Sequence, residues 1–436
     1  MTAPVVVVGG GLAGMAAAAR LAKLGYPVEL HERSDRLGAR WAAHPSPSGP
    51  PVDAAPAVLG FPAPWRDLFR KSGRPLEAEL ARQGYTLAPA DPAVIVFADG
   101  ARLVWPADRG AQHAALAAAY GGPVAERWRD LVDRLDQVWQ TLRPLGWEAE
   151  RREADLTRAV RRNLLGRQSV AGLARSAGHP HLEALVRSVA HRLGGTPEDT
   201  PAWAAVELSV QRTFGRWQVQ PAEESGGRTG EPGRSSLLVE VLVGRLGLRR
   251  VDVRLNSPVT AIGVDDGRVV AVTAGPEERP ASAVVSTVDP WSTFDALLPA
   301  GAARRTRRRV RGLRPALAAA VRHELTDQPS AGVQETVTLT ATGVPTVAYA
   351  RPVGSTTVTS IHEYGTARPR PAAGVAWAGM RSWARRPSVT TEVPGLFVAG
   401  PFSPAGPGGS AEVLSGALAA YAVQDYWRAN AAESAG

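Results

Sequence analysis

The feature that most constrains this chain is a glycine-rich turn between an apolar strand and an alanine-rich helix. Residues 5–14 read Val-Val-Val-Val-Gly-Gly-Gly-Leu-Ala-Gly, and a second apolar strand at 27–31 is followed by the acid Glu32. This order predicts a βαβ unit. Within it Gly9 permits the tight turn, Gly11 lets the backbone approach a pyrophosphate, and Gly14 lets the helix pack against the strand.

The same unit predicts a dinucleotide site. A helix N-terminus offers unpaired N–H groups and the positive end of a dipole to phosphates. Glu32 lies 32 − 9 = 23 residues after Gly9, where the motif needs a carboxylate for a ribose 2′-OH. An unphosphorylated ribose is therefore favoured, which means FAD or NAD rather than NADP.

The segment after the acid resembles the amine oxidase and phytoene desaturase superfamily of flavoproteins. In that family the acid is followed by Arg and then by Gly-Gly-Arg; this chain has Arg33 and then Gly38-Ala39-Arg40, so Ala39 replaces the second glycine. A methyl group is tolerable there unless φ must be positive. The resemblance implies that Arg40 lies near the FAD phosphates and ribose.

Residues 393–416 are similar to the closing motif of the phytoene desaturase group: a strand announced by Pro-Gly-Leu, a glycine-rich turn and a helix through 417–427. In the family this helix points its N-terminus at the flavin N1 and C2 carbonyl, where the positive dipole end stabilises reduced flavin. A second such helix favours FAD over NAD. Many relatives carry Asp where this chain has Pro401, which leaves the strength of FAD binding open.

Two further stretches resemble the family. Residues 52–59 match its Phe-Asp-x-Gly-Pro phrase at Asp53 and Pro56, with Ala55 in place of glycine; the resemblance implies that Ala55 to Ala57 lie beside the flavin, although a plain turn explains them as well. Residues 236–292 resemble its second FAD segment, in which the backbone at Val259 reads adenine. The cofactor-binding residues so implied are Gly9, Gly11, Leu12, Ala13, Gly14, Glu32, Arg33, Ala39, Arg40, Ala55, Pro56, Ala57, Val259, Gly400, Pro401, Gly409 and Val413.

We therefore expect an α/β fold: a Rossmann-type FAD-binding domain, as in glutathione reductase-like flavoproteins, with an inserted α+β substrate domain. The FAD domain is predicted at 1–105, 236–292 and 386–436, and the substrate domain at 106–235, mainly helical, and 293–385. Apolar periodicity predicts helices over 111–214, with Ser169 as an N-cap. Glycines and prolines predict a loop over 218–235, in which Gly226-Gly227 would be the remnant of a family strand.

Composition limits the other functions. The chain has 436 residues, no cysteine and a net charge of +9, which excludes disulfides and a cysteinyl flavin bond. No apolar run is long enough to span a bilayer and no signal peptide is evident, so we expect a cytoplasmic protein. The arginine-rich run 304–311 is interpreted as an exposed helix face, or alternatively as a contact with anionic lipid. No nucleic-acid-binding module is present, and a homo-oligomer stays open.

Few side chains suggest catalysis. His179 and His181 flank a proline in a turn, so capping or solvated roles are expected rather than metal ligation, and no metal site is predicted. His362, Glu363 and Tyr364 end a strand-like run and are the only acid/base candidates.

The resemblance implies an FAD-dependent oxidoreductase acting on a hydrophobic small molecule. Desaturation of a polyene or isoprenoid, with hydride transfer to flavin N5, is the leading hypothesis, because the cofactor then carries the chemistry. One alternative is an amine oxidase, for which Tyr349, Tyr364, Trp377 or Trp383 would form an aromatic cage. The other is a non-catalytic lipid carrier or partner subunit with a degenerate FAD site, favoured by Ala39, Ala55 and Pro401.

Overall fold

A computed structural model describes residues 3–46, 49–222, 230–328 and 330–435. The predicted Gly226-Gly227 remnant lies outside the described residues. The strands are β1 (Val5–Val8), β2 (Val28–His31), β3 (Ala43–Ser46), β4 (Gly49–Asp53), β5 (Tyr85–Pro89), β6 (Ala93–Val96), β7 (Arg102–Trp105), β8 (Trp217–Pro221), β9 (Asp252–Arg254), β10 (Val259–Asp265), β11 (Arg268–Ala274), β12 (Glu277–Pro280), β13 (Ala283–Ser286), β14 (Pro315–Thr326), β15 (Gln334–Leu339), β16 (Pro345–Val353), β17 (Thr356–Val375) and β18 (Leu396–Val398).

The helices complete a mixed α/β architecture. They are α1 (Leu12–Lys23), α2 (Ala63–Ser72), α3 (Leu76–Arg82), α4 (Arg109–Tyr120), α5 (Gly122–Leu142), α6 (Arg158–Asn163), α7 (Val170–Ala174), α8 (Pro180–Arg192), α9 (Val206–Phe214), α10 (Ser236–Leu248), α11 (Arg304–Arg311), α12 (Gly379–Arg385) and α13 (Gly409–Ala435). The predicted helical stretch contains α4 to α9. Ser169 and His179 cap α7 and α8 with side-chain acceptors, as the sequence predicts.

A five-stranded parallel sheet is built from three distant parts of the chain. Its order is β18-β13-β1-β2-β9, and Val5 pairs with both Val28 and Ala283. The four valines of β1 are buried, as expected for a parallel strand covered on both faces. This is the Rossmann-type arrangement that the βαβ pattern predicts.

A six-stranded sheet forms a second unit, in the order β14-β17-β16-β15-β6-β7. Here the structure differs from our domain boundary at residue 105, because the 93–105 hairpin pairs with β15 rather than with the parallel sheet. Strand pairing therefore moves the end of the first FAD segment to before Ala93. The other domain bounds stay predictions.

The predicted loop over 218–235 is wrong at its beginning. Residues Trp217–Pro221 form β8 and pair antiparallel with β5. Gln218 and Val219 are buried in this short strand. The glycines and prolines farther along dominated the sequence pattern, and the strand's partner at 85–89 gave no hairpin signal because it is distant in sequence.

The arginine-rich run forms α11, which buries Val310 and exposes most of its guanidinium groups. Arg309 pairs with Glu153 at 2.7 Å and Arg311 with Asp295 at 3.4 Å. A contact of this helix with anionic lipid stays a prediction. In the described ranges, no helix combines the length and apolar character needed to cross a bilayer.

Helix α13 packs closely against α1. A Cβ placed on Gly416 would lie 2.2 Å from the Ala13 carbonyl oxygen, so this position admits no larger residue without movement of a helix. Gly244, inside α10, is a matched contrast because its Cβ would meet nothing within 4 Å.

We expect Gly416→Ala to lower the free energy of unfolding by about 1 to 3 kcal/mol, because overpacking displaces the backbone. Gly244→Ala should instead raise it by up to about 1 kcal/mol through helix propensity. Urea unfolding of both variants measures this. Equal effects of the two substitutions would contradict the close packing of α1 on α13.

Candidate functional site

The turn between β1 and α1 divides its glycines between packing and open space. Gly9 has a φ of +103°, and a Cβ on Gly14 would lie 1.9 Å from the Gly9 carbonyl oxygen. A Cβ on Gly11 would meet nothing within 4 Å. Gly9 and Gly14 thus set the turn and the helix packing, while Gly11 faces room for a ligand.

Glu32 lies at the end of β2 beside this turn. Its Oε2 accepts a hydrogen bond from the Gly10 N–H at 2.7 Å, and its Oε1 accepts from the Ser34 N–H and hydroxyl at 2.9 and 2.7 Å. A carboxylate has about four acceptor positions, so one remains on Oε2 for a ribose hydroxyl. The Ser257 N–H donates to the Glu32 carbonyl at 2.9 Å, which brings the segment leading to Val259 next to the predicted ribose site.

The Gly38-Ala39-Arg40 segment explains why alanine is tolerated. Gly38 takes a φ of +93°, whereas Ala39 begins a short 3-10 turn to Trp41, whose backbone suits any residue. Arg33 is exposed. Arg40 pairs with the buried carboxylate of Glu412 and donates to the Ala372 carbonyl at 3.2 Å, so it links the ribose side to the start of α13.

The glycine-rich turn before α13 is held from both ends. The Gly400 N–H donates to the Ser415 hydroxyl at 2.9 Å, and the Pro401 carbonyl lies against Gly374, whose Cβ would approach it within 2.6 Å. Val413 is fully buried beneath the helix. Gly408 has a φ of +114° and open space around its Cβ position.

These residues fit FAD. The two helix N-termini carry unpaired N–H groups, and at both of them a glycine, Gly11 or Gly408, opens onto free space. Glu32 keeps one acceptor position. The substitutions Ala39 and Pro401 obstruct none of these features. The individual cofactor contacts remain predictions.

A cavity of about 290 Å³ lies where residues 56–61 meet the first residues of α13. Pro56, Ala57 and Gly409 line it, whereas Ala55 is buried behind its wall. Its indole-bearing residues are Trp41, Trp65, Trp139, Trp147, Trp203, Trp217 and Trp377. Trp128, which we grouped with them from sequence, instead donates to Gln112 at 2.9 Å.

One part of the wall is polar, and sequence reasoning missed it. We define the polar patch as Arg192, Glu207, Arg216, Gln218, Glu335 and Tyr349, all of which line the cavity. Arg216 and Glu335 form a buried ion pair, and Arg192 lies 3.2 Å from Glu207. Burial raises the pKa of Tyr349 well above its usual range. The one available signal was the spacing of Arg216 and Gln218, which share a face of a strand.

The three acid/base candidates are separated by strand alternation. Tyr364 lines the cavity, and burial raises the pKa of its phenol to about 12. Glu363 accepts from Arg322 Nε at 2.8 Å at the half-exposed side of the sheet. His362 is 6% exposed and does not line the cavity. Glu363 and His362 are therefore poorly placed for acid/base work, contrary to our expectation.

The aromatic cage expected of an amine oxidase is only partly assembled. Tyr349, Tyr364 and Trp377 line the cavity, but Trp383 does not. Trp377 meets Trp203 edge to face, at 4.8 Å and 84°. In the described residues, the ring pairs recorded within the cavity wall are likewise edge-on, so they do not form two parallel faces around a cation.

His362 should make stability depend on pH. Burial, and then the neighbouring His323, lowers its pKa to about 4, so the folded protein keeps it neutral while the unfolded chain binds a proton below about 6.5. Its contribution is therefore complete above pH ~6.5 and is lost as the pH falls towards ~4. We expect His362→Leu to reduce the acid loss of unfolding free energy by up to about 1.4 kcal/mol per pH unit.

Urea unfolding of wild type and His362→Leu at several pH values across this window measures the effect. The difference between the two pH slopes is the readout, so any loss of packing in the variant, which is the same at each pH, cancels. Identical slopes would show that His362 titrates normally.

Comparison with known proteins places this geometry in a family. The family described as "Flavin containing amine oxidoreductase" matches residues 12–321. The chain is 26% identical over 310 residues to 4,4'-diapolycopene oxygenase of Methylomonas sp, covering 67% of this chain and 57% of that protein. It is 38% identical over 136 residues to hydroxyneurosporene desaturase of Cereibacter sphaeroides, covering 30% and 26%. The matches thus span less than two thirds of these relatives.

Solved structures share the fold. An oxidoreductase from Methanosarcina mazei has a TM-score of 0.66 at 16% identity, covering 97% of this chain and all of that one. Cyclohexylamine oxidase from Brevibacterium oxydans has a TM-score of 0.65 at 16% identity, covering 98% of this chain and all of that one. Since the family match spans more than half of the residues, the chain belongs to the flavin-containing amine oxidoreductases, a family of FAD-dependent oxidoreductases, and its cofactor is FAD.

Proposed function

We propose that the protein is an FAD-dependent oxidoreductase that desaturates an apolar polyene or other isoprenoid substrate. The observation that carries the proposal is the tryptophan-rich cavity that meets the first residues of α13. An apolar molecule in this cavity would lie beside the predicted flavin position. When bound, FAD supplies a two-electron acceptor for hydride removal.

The side chains support a reaction that needs no strong base. Glu207 and Glu335, the carboxylates in the cavity wall, are both paired with arginines. Tyr364 is held as a neutral phenol by its raised pKa. The chain's own contribution would then be to bind the substrate and exclude water, with the tryptophans packed against its apolar body.

The names of the two carotenoid-related proteins support this substrate class, because both refer to polyene oxidation or desaturation. Amine oxidation is the second candidate, and the cyclohexylamine oxidase fold is compatible with it. The edge-on rings and the paired carboxylates favour it less, because a protonated amine gains from free anionic groups or parallel aromatic faces. The cofactor fit of the two glycine turns disfavours a degenerate, non-catalytic relative.

Gly11→Ala tests the cofactor site without disturbing the fold. Gly11 has a φ of −72° and open space at its Cβ position, so we expect the unfolding free energy of the apoprotein to change by less than about 1 kcal/mol. FAD affinity should fall by about tenfold or more, since a methyl group would enter the pyrophosphate space. Flavin retained after gel filtration measures it, with Gly247→Ala in α10 as the matched control. Equal flavin retention in both variants would contradict the assigned site.

Anaerobic reduction tests the reaction itself. Flavin-loaded protein is mixed with phytoene in liposomes, and loss of visible flavin absorbance together with growth of a longer polyene chromophore is expected. Cyclohexylamine, in a parallel reaction, should not bleach the flavin. Bleaching by the amine alone would replace desaturation by amine oxidation, and a loaded flavin that no polyene bleaches would overturn the proposal.

A further inference from the structure

Gln218 is the buried side chain in the cavity wall whose hydrogen-bonding capacity is unused. It is 1% exposed and lines the cavity, and within the described chain neither its amide nitrogen nor its carbonyl oxygen has a partner. A buried amide with both groups unpaired is unfavourable. A ligand that both donates and accepts hydrogen bonds would satisfy it.

The surroundings of Gln218 are polar but balanced in charge. Arg216 precedes it on the same face of β8 and pairs with Glu335, while Arg192 pairs with Glu207. Two guanidinium groups thus face two carboxylates. Tyr349, beside them, keeps its phenol neutral because burial raises its pKa. The polar patch therefore has no free charge with which to attract an ion, and it favours an uncharged polar group.

The rest of the wall is apolar, with Val58, Leu59, Leu142 and Leu193 among the tryptophans. A pure hydrocarbon filling the whole cavity would cover the Gln218 amide and leave it unpaired. An amphiphilic molecule avoids this cost, because its apolar body meets the indole rings while its polar end meets the patch.

We propose that the substrate is an isoprenoid-type molecule bearing an uncharged oxygen function, a hydroxyl or carbonyl group, which Gln218 binds within the polar patch. This rests on the proposed function, since it specifies the substrate class of the same cavity. Gln218 is then a specificity-determining residue: it selects the oxygenated molecule over the hydrocarbon of the same skeleton, because a site built to pair with an oxygen rejects an analogue that lacks it.

The test is a binding measurement on the flavin-loaded protein, followed by quenching of tryptophan fluorescence. Farnesol and farnesene are the probes, because they share a skeleton and differ by the hydroxyl group. Wild type should bind farnesol on the order of tenfold more tightly. Gln218→Leu, which removes both polar groups at nearly constant volume, should abolish this preference by weakening farnesol binding alone.

Gln220→Leu is the matched control. Gln220 lies two residues farther along β8, is half-buried and does not line the cavity, so this variant should keep the wild-type preference. Where Gln218→Leu does not fold, Gln218→Met, with a side chain of the same length, replaces it.

Three results would overturn the proposal. The first is an equal affinity of wild type for the two probes, and the second is a farnesol preference that survives in Gln218→Leu. The third is tighter binding of farnesylamine than of farnesol, which would mean that the patch prefers a cation. Flavin retained by each variant is measured in parallel: a variant that loses FAD and keeps the farnesol preference shows that the amide faces the cofactor instead. Because no turnover is measured, failure of the desaturation reaction leaves this result readable by itself.

Discussion

The close backbone contacts around α1 are the constraint on which the rest of the structure depends. On one side, Gly14 lies so near the Gly9 carbonyl that no side chain fits between helix and strand; on the other, Gly416 brings α13 against the Ala13 carbonyl. Both contacts require the absence of a Cβ atom. Because α13 is positioned by α1, the second glycine turn and the cavity beside it inherit their location from the first ten residues of the parallel-sheet unit.

The pairing of Arg40 with Glu412 strengthens this arrangement electrostatically. Glu412 lies in the first turn of α13, where a carboxylate interacts favourably with the helix dipole. Its charge would by itself oppose the negative charge that the N-terminus of α13 is expected to stabilise. The Arg40 guanidinium offsets it, and thereby ties the loop after the ribose acid to a helix 372 residues away in sequence.

How far the sequence predicts the fold and the site depends on how local each signal is. The βαβ unit, the β10-β11 hairpin and α13 were predicted because glycine turns and apolar periodicity act within about twenty residues. The polar patch was not, since Arg192, Glu207, Gln218 and Glu335 come from α8, α9, β8 and β15 and meet only through tertiary packing. Strand alternation could have separated Glu363 from Tyr364 in advance, because successive residues face opposite sides. The pairing of the 93–105 hairpin with β15 depends on a contact across more than 200 residues of sequence and has no local signature.

The strand order of the parallel sheet also has a consequence for biosynthesis. Its central strand, β1, pairs with β13, which in turn pairs with β18 at Leu396–Val398. Such non-local pairing slows folding, because the loop must close before the contact stabilises it. During translation β1 and β2 therefore wait for partners encoded nearly 300 and 400 residues later, while the helices between them are already able to form. In that interval the unpaired edge of β1 is the segment most exposed to misassociation, and chaperone dependence would be governed by this edge rather than by the helical unit.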